Sequence, residues 1–150
     1  MFTKILVPTD GSAMALQAAR VARTLAEKFA SRITLVHVIQ NYYTLPAFSM
    51  PDTITIPVSV MQDLENTGKL ILSNARDLFA DFPGQVDTRL EFGPPGQQLV
   101  DIAAEGQYSL IVMGRRGLSG VTGLLLGSVS NHLVHYAPCP VLIIKGNEPD

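Results

Sequence analysis

The sequence predicts an α/β domain built as an open parallel sheet of five strands with helices on both faces. Three observations predict it. Short apolar runs alternate with stretches of helical periodicity, and most of those runs are too uniformly apolar to have a wet face. The 150 residues suffice to bury one core but not two, so residues 1–150 are expected to be a single domain.

Ile5-Leu6-Val7 is a brief run with no polar side, as a strand covered on both faces requires. It ends at Pro8-Thr9-Asp10-Gly11-Ser12, where Ser12 or Asp10 can cap the helix that follows. That helix carries Met14, Ala18, Val21, Leu25 and Phe29 on one stripe at spacings of three and four. Residues 33–39 form a second buried strand. Residues at about 40–58 are interrupted by Pro46, Pro51 and Pro57 and read as a loop or lid outside the core. Next comes the clearest helix, with Val60, Leu64, Thr67, Ile71, Ala75, Leu78 and Phe82 in register until Pro83-Gly84 stops it.

Val86, Thr88, Leu90 and Phe92 alternate with Asp87, Arg89 and Glu91, the pattern of a half-exposed edge strand. Gly93-Pro94-Pro95-Gly96 turns the chain into a short helix bearing Leu99, Ile102 and Ala103. Leu110-Ile111-Val112-Met113 is the next buried strand. A helix from about Ser128 to Tyr136 leads through Pro138-Cys139-Pro140 to a last apolar strand, Val141-Leu142-Ile143-Ile144. In such sheets ligands bind beyond the carboxyl ends of the strands, where the strand order reverses. The segments to inspect are therefore residues 8–10, 38–40, 92–93 and 113–117.

The formal charge of −2 supplies no basic field for nucleic acid, and no run of like charge occurs. The one cysteine, Cys139, fits a reducing compartment. The start lacks the features of a secretory signal, and no stretch approaches the roughly 20 apolar residues of a membrane span. A soluble cytoplasmic protein is expected.

Gly114, Gly117, Gly120, Gly123 and Gly127 place five of the twelve glycines within 14 residues. The run follows a buried strand and opens into a helix at Ser128. A phosphate needs converging backbone N–H groups, which bulky side chains would obstruct, and gains from the positive end of a helix. Arg115 and Arg116 can neutralise phosphate oxygens, and the Ser128 and Ser130 hydroxyls can donate to phosphate or ligate a metal. The competing description is a plain surface loop. With no Gly-Lys-Ser/Thr and no G-x-G-x-x-G turn, the two common phosphate motifs are excluded.

Val-Pro-Thr-Asp-Gly-Ser at 7–12, Val-His-Val at 36–38, Met-Gly-Arg-Arg-Gly-Leu-Ser-Gly from 113, Leu-Leu-Leu-Gly-Ser-Val-Ser to 130, and Ala-Pro-Cys-Pro-Val-Leu-Ile-Ile at 137–144 resemble the universal stress protein family. The resemblance spans essentially the whole chain and is weakest at 40–60. The family's ATP-binding members share glycine, two residues, glycine, nine residues, glycine, then Ser/Thr. Gly114, Gly117, Gly127 and Ser128 stand at that spacing.

The resemblance implies the adenine nucleotide alpha hydrolase-like fold with strand order 3-2-1-4-5. It implies ATP, with Mg²⁺, as the ligand. Gly114, Gly117, Gly127, Ser128, Val129 and Ser130 would hold the phosphates and ribose, with Met113 and Arg116 beside them. Pro8, Thr9 and Asp10 would line the cleft, and Val38 would meet the adenine edge through its backbone. A homodimer joined along Val141–Ile144 is implied as well. Members often show a small residue where Arg115 stands.

Asp10 can ligate Mg²⁺, as can Ser128, or accept from a ribose; its structural alternative is to cap a helix. His132 and His135 lie one helical turn apart with Cys139 following, but zinc would want more ligands, and packing or surface roles are favoured. His37 reads as a satisfied core or cleft residue, and Cys139 as structural. Tyr42, Tyr43, Phe48, Met50 and Met61 either cover a nucleotide, contact a partner or pack locally. Two functions remain: a regulatory stress-response module that binds ATP, and a slow ATP hydrolase or nucleotidyl-transferring enzyme. Pyrophosphatase relatives carry Ser-Gly-Gly-x-Asp-Ser after the first strand, whereas this chain has Pro8-Thr9-Asp10-Gly11-Ser12, and no catalytic constellation is evident. Binding is therefore favoured over chemistry, and no catalytic residue is assigned.

Overall fold

The structure, a computed structural model, describes residues 1–40, 57–115 and 126–146. The elements follow in the order β1 (Lys4–Pro8), α1 (Ala13–Phe29), β2 (Arg32–Ile39), α2 (Val58–Asp77), β3 (Val86–Phe92), α3 (Pro95–Glu105), β4 (Leu110–Gly114), α4 (Ser128–Tyr136) and β5 (Val141–Ile144). Every pairing is parallel, and the sheet runs β3-β2-β1-β4-β5, the order the family resemblance implies.

Because side chains alternate across a strand, each central strand feeds two cores. Ile5, Val7, Ile33, Leu35, Leu110 and Val112 face α1 and α2. Leu6, Val36, Ile111 and Met113 face α3 and α4, where Leu99, Ile102 and Leu133 meet them. The sheet's centre is dry on both sides, which is why β1, β2 and β4 read as unbroken apolar runs.

In both long helices the buried line overlaps the stripe read from the sequence only in part, sharing Ala18 in α1 and Ala75 in α2. In α1 the buried line is Ala15, Ala18, Ala19, Ala22 and Ala26, not the stripe through Val21, Leu25 and Phe29. Small residues occupy the line of closest approach to the sheet, while Leu16, Val21 and Leu25 fill its flanks. Phe29 remains exposed and meets Phe2 edge-on at 5.3 Å between centroids.

In α2 the buried line is Gly68, Leu72 and Ala75, while Val60 and Leu64 are exposed. A Cβ at position 68 would lie 2.7 Å from Leu90 Cδ1, so glycine lets α2 settle onto β2 and β3. The helix ends at Asp77, ahead of the Pro83-Gly84 breaker. Tight turns continue from it, with the Phe79 N–H donating to Arg76 O at 2.9 Å and the Phe82 N–H to Phe79 O at 3.0 Å. They deliver Phe79 to the core with Phe82 packed edge-on against it. Arg23 of α1 reaches the same turn, donating to Leu78 O at 2.7 Å and pairing with Asp81 at 2.7 Å and Glu27 at 2.9 Å. Beside that guanidinium the exposed Asp81 carboxyl titrates below its ordinary range.

The remaining elements lie where the sequence places them, with β3 and β5 at the two edges. Among the described residues no helix is long and apolar enough to cross a membrane.

Ala22→Leu should overpack the contact between α1 and the sheet and cost about 1–3 kcal/mol. Leu6→Ala, which empties the opposite core, should cost about 2–5 kcal/mol. Urea unfolding of the two variants measures both.

Candidate functional site

β1 and β4 pair only at Ile5↔Leu110 and Leu6↔Ile111. By contrast, β1 stays with β2 as far as Pro8↔Val36, and β4 with β5 as far as Gly114↔Ile144. The two central strands therefore part along their carboxyl halves. α1 leaves β1 toward one face, and the chain after β4 returns through α4 on the other. The result is a crevice at the topological switch point of the sheet.

The β1 wall is a tightly bonded corner. Thr9 is buried, and its N–H extends the ladder by donating to Val36 O at 2.8 Å. Gly11 adopts φ +82, a conformation that suits glycine, and its N–H donates to Thr9 Oγ1 at 3.3 Å. Asp10 Oδ1 accepts the Ser12 N–H at 2.9 Å, and Ser12 Oγ caps α1 by accepting the Ala15 N–H at 3.2 Å. Of the two candidate caps, Ser12 is the cap and Asp10 orients it.

The β4 wall starts at Gly114. A Cβ there would come within 2.9 Å of Met14 Cγ and 3.2 Å of the Met14 carbonyl carbon. Close packing against α1 thus demands glycine at this position whether or not a phosphate is present. The Arg115 N–H donates to Ile144 O at 3.0 Å. The Arg115 carbonyl accepts the Gly127 N–H at 2.9 Å and the Ser130 hydroxyl at 2.6 Å. This clasp joins the two ends of the glycine-rich segment and seats α4 beside β4.

It also changes the role available to Ser130. The residue is 1% exposed and its hydroxyl hydrogen is committed to carbonyl oxygens, which leaves its backbone N–H as the group an anion could meet. At the start of α4 the N-cap is Gly127, with no side-chain cap, and the first helical bond runs from the Asn131 N–H to Gly127 O at 2.9 Å. The N–H groups of Ser128, Val129 and Ser130 therefore have no partner within the helix, and no side chain among the described residues caps the positive end of its dipole.

Of the other residues singled out in the sequence, Met113 is buried in the core facing α3 and α4, leaving its backbone as the part near the crevice. Val38 lies two residues past the last β1–β2 pair, at the rim. Arg116, Gly117, Gly120, Gly123 and the excursion residues Tyr42, Tyr43, Phe48 and Met50 lie outside the described residues. His37, read from the sequence as satisfied, has its partner in the site: Nδ1 is 2.8 Å from Thr9 O. The outward sign was an imidazole set among the apolar residues Leu35, Val36, Val38 and Ile39.

His135 Nδ1 bonds Asn131 O at 2.8 Å, and His132 lies against Tyr136 with centroids 4.7 Å apart. Burial raises the Cys139 thiol pKa above its ordinary value. No group of three or more His, Cys, Asp or Glu side chains suited to a metal occurs among the described residues.

Sheet order and crevice together define a doubly wound α/β protein whose central strands part at the switch point. The family model for the universal stress protein family matches residues 1–145, and the chain belongs to that family. It is 33% identical to universal stress protein YxiE of Bacillus subtilis over 149 residues, covering 97% of this chain and 100% of that protein. Among solved structures it resembles hypothetical protein MJ0577 with a TM-score of 0.83 and 26% identity, covering 99% of both chains. A universal stress protein solved in complex with cAMP aligns with a TM-score of 0.71 and 26% identity, covering 95% of this chain and 97% of that one.

Ser130→Ala should remove half of the clasp on the Arg115 carbonyl and cost about 1 kcal/mol of stability. Thermal unfolding against wild type measures it.

Proposed function

We propose that this chain is a single-domain, cytoplasmic, ATP-binding regulatory module of the stress response. The observation that carries the proposal is the uncapped start of α4 beside the β1–β4 crevice. Three N–H groups without a partner inside the helix, at its positive end and held in place by the Arg115 clasp, form an anion receptor made of backbone.

Several features support adenine nucleotide as the anion. Val38 offers its backbone at the rim, within reach of an adenine edge, and Thr9 and Asp10 stand on the facing wall. A related universal stress protein was solved in complex with cAMP, which carries an adenine ring and a phosphate, and that supports the reading. ATP is preferred because Gly114, Gly117, Gly127 and Ser128 keep the spacing of the family's ATP-binding members. Magnesium, a hard cation that favours oxygen ligands, would be held by the phosphates together with the Asp10 carboxylate or the Ser128 hydroxyl. When bound, it would neutralise phosphate charge. The residues named offer binding groups, and the role we assign them is to hold the nucleotide.

β5 suggests the assembly. Among the described residues it pairs with β4 alone, its four residues are apolar, and Leu142 is exposed beside that edge. We assign this edge to a homodimer contact. Leu142→Lys should convert a dimer to a monomer in light scattering, and an unchanged mass would remove β5 from the interface.

The nucleotide assignment is tested by calorimetric titration with magnesium ATP. Wild type should bind saturably. Ser128→Pro, a substitution the first position of a helix tolerates, should weaken binding about tenfold by deleting one donor. Gly127→Val should abolish binding. Unchanged affinity in both variants would remove α4 from the site, and absence of saturable binding by wild type would overturn the nucleotide reading itself.

A further inference from the structure

We infer that His37 is a positioning residue of the nucleotide site: by donating from Nδ1 to the Thr9 carbonyl it fixes the peptide that carries the Asp10 N–H. The inference rests on the nucleotide reading above and adds to it a residue of β2 that touches no nucleotide.

The carbonyl oxygen of Thr9 can only accept, so the 2.8 Å contact requires the proton to sit on Nδ1. The neutral ring is thereby held as the Nδ1–H tautomer. The other side of Thr9 is held as well, since its N–H donates to Val36 O at 2.8 Å. Thr9 is thus gripped at both ends by consecutive residues of one strand, Val36 through backbone and His37 through its side chain. A trans peptide points its C=O and N–H in opposite directions. Directing the Thr9 carbonyl toward β2 therefore turns the Asp10 N–H away from β2, toward the side of β1 on which β4 and the crevice lie.

The imidazole is itself located by α2. A Cβ on Gly68 would stand 2.7 Å from Leu90 Cδ1 and 3.1 Å from His37 Cδ2, so a side chain there would crowd the imidazole as well as Leu90. Gly68 is one of the few buried positions of α2, and β2 register places Leu90 directly beside His37. The chain of contact thus runs from Gly68 to His37 to the Thr9–Asp10 peptide. A glycine in mid-helix costs stability relative to alanine, and this position shows what that glycine makes room for.

Two measurements on the full-length protein test the inference. In the nucleotide-free protein, ring-nitrogen NMR of His37 should show the Nδ1–H tautomer; an Nε2–H signature would overturn the hydrogen bond without bearing on nucleotide binding. In titrations with magnesium ATP, His37→Leu should weaken binding about tenfold. His37→Asn, whose amide can donate from near the Nδ1 position, should restore affinity to within about threefold of wild type. Gly68→Val should weaken binding in the wild-type background and add little in the His37→Leu background, because both act on one contact. Equal affinity of wild type and His37→Leu, or failure of asparagine to restore it, would overturn the positioning role while leaving the nucleotide reading intact. A wild type that binds no nucleotide overturns both.

Discussion

The early parting of β1 and β4 is the constraint from which the rest of the site follows. A parallel strand pair that continued beyond Leu6↔Ile111 would bring the corner after β1 and the loop after β4 together and close the space between them. Instead each strand keeps its outer partner for the rest of its length. That division lets backbone groups at the strand ends turn toward a shared opening without leaving the sheet's hydrogen bonds unmade.

Holding the opening in shape falls to packing on one face and to hydrogen bonds on the other. On the α1 face, a line of alanines brings the helix near the sheet, and Gly114 yields the last of the distance to Met14. Toward the α4 side, the Arg115 carbonyl is held by two donors from the helix start. In the described part of the site, main-chain groups do most of the positioning, and serine hydroxyls serve as fasteners.

Much of this was legible in the sequence because it is written in hydrophobic pattern. Buried strands such as Leu110-Ile111-Val112-Met113 have no wet face, and β3 has one, so the strands and the edge position of β3 could be read directly. The helix faces were harder. Periodicity weighs large apolar residues most, so it favoured Val21, Leu25 and Phe29, whereas contact distance selected alanine. Likewise Pro83-Gly84 looks like the natural end of α2, yet the burial of Phe79 required the helix to tighten sooner. At the site, the spacing of Gly114, Gly127 and Ser128 drew attention to this stretch but carried no sign of the packing of Gly114 against Met14 or of the bond from the Ser130 hydroxyl to the Arg115 carbonyl. Those depend on residues distant in sequence, Met14 for one and Arg115 for the other, and no local pattern encodes them.

The clasp at Arg115 also bears on how such a site can diversify. Residues 115 and 127–130, on either side of segment 116–125, are closed on one another by hydrogen bonds, so the span that the segment has to cross is set by its flanks. The acceptor of both bonds is a main-chain carbonyl and one of the two donors is a main-chain N–H, so the closure asks for a particular side chain at Ser130 alone. A junction made this way keeps its end-to-end distance whatever side chains stand at its other positions.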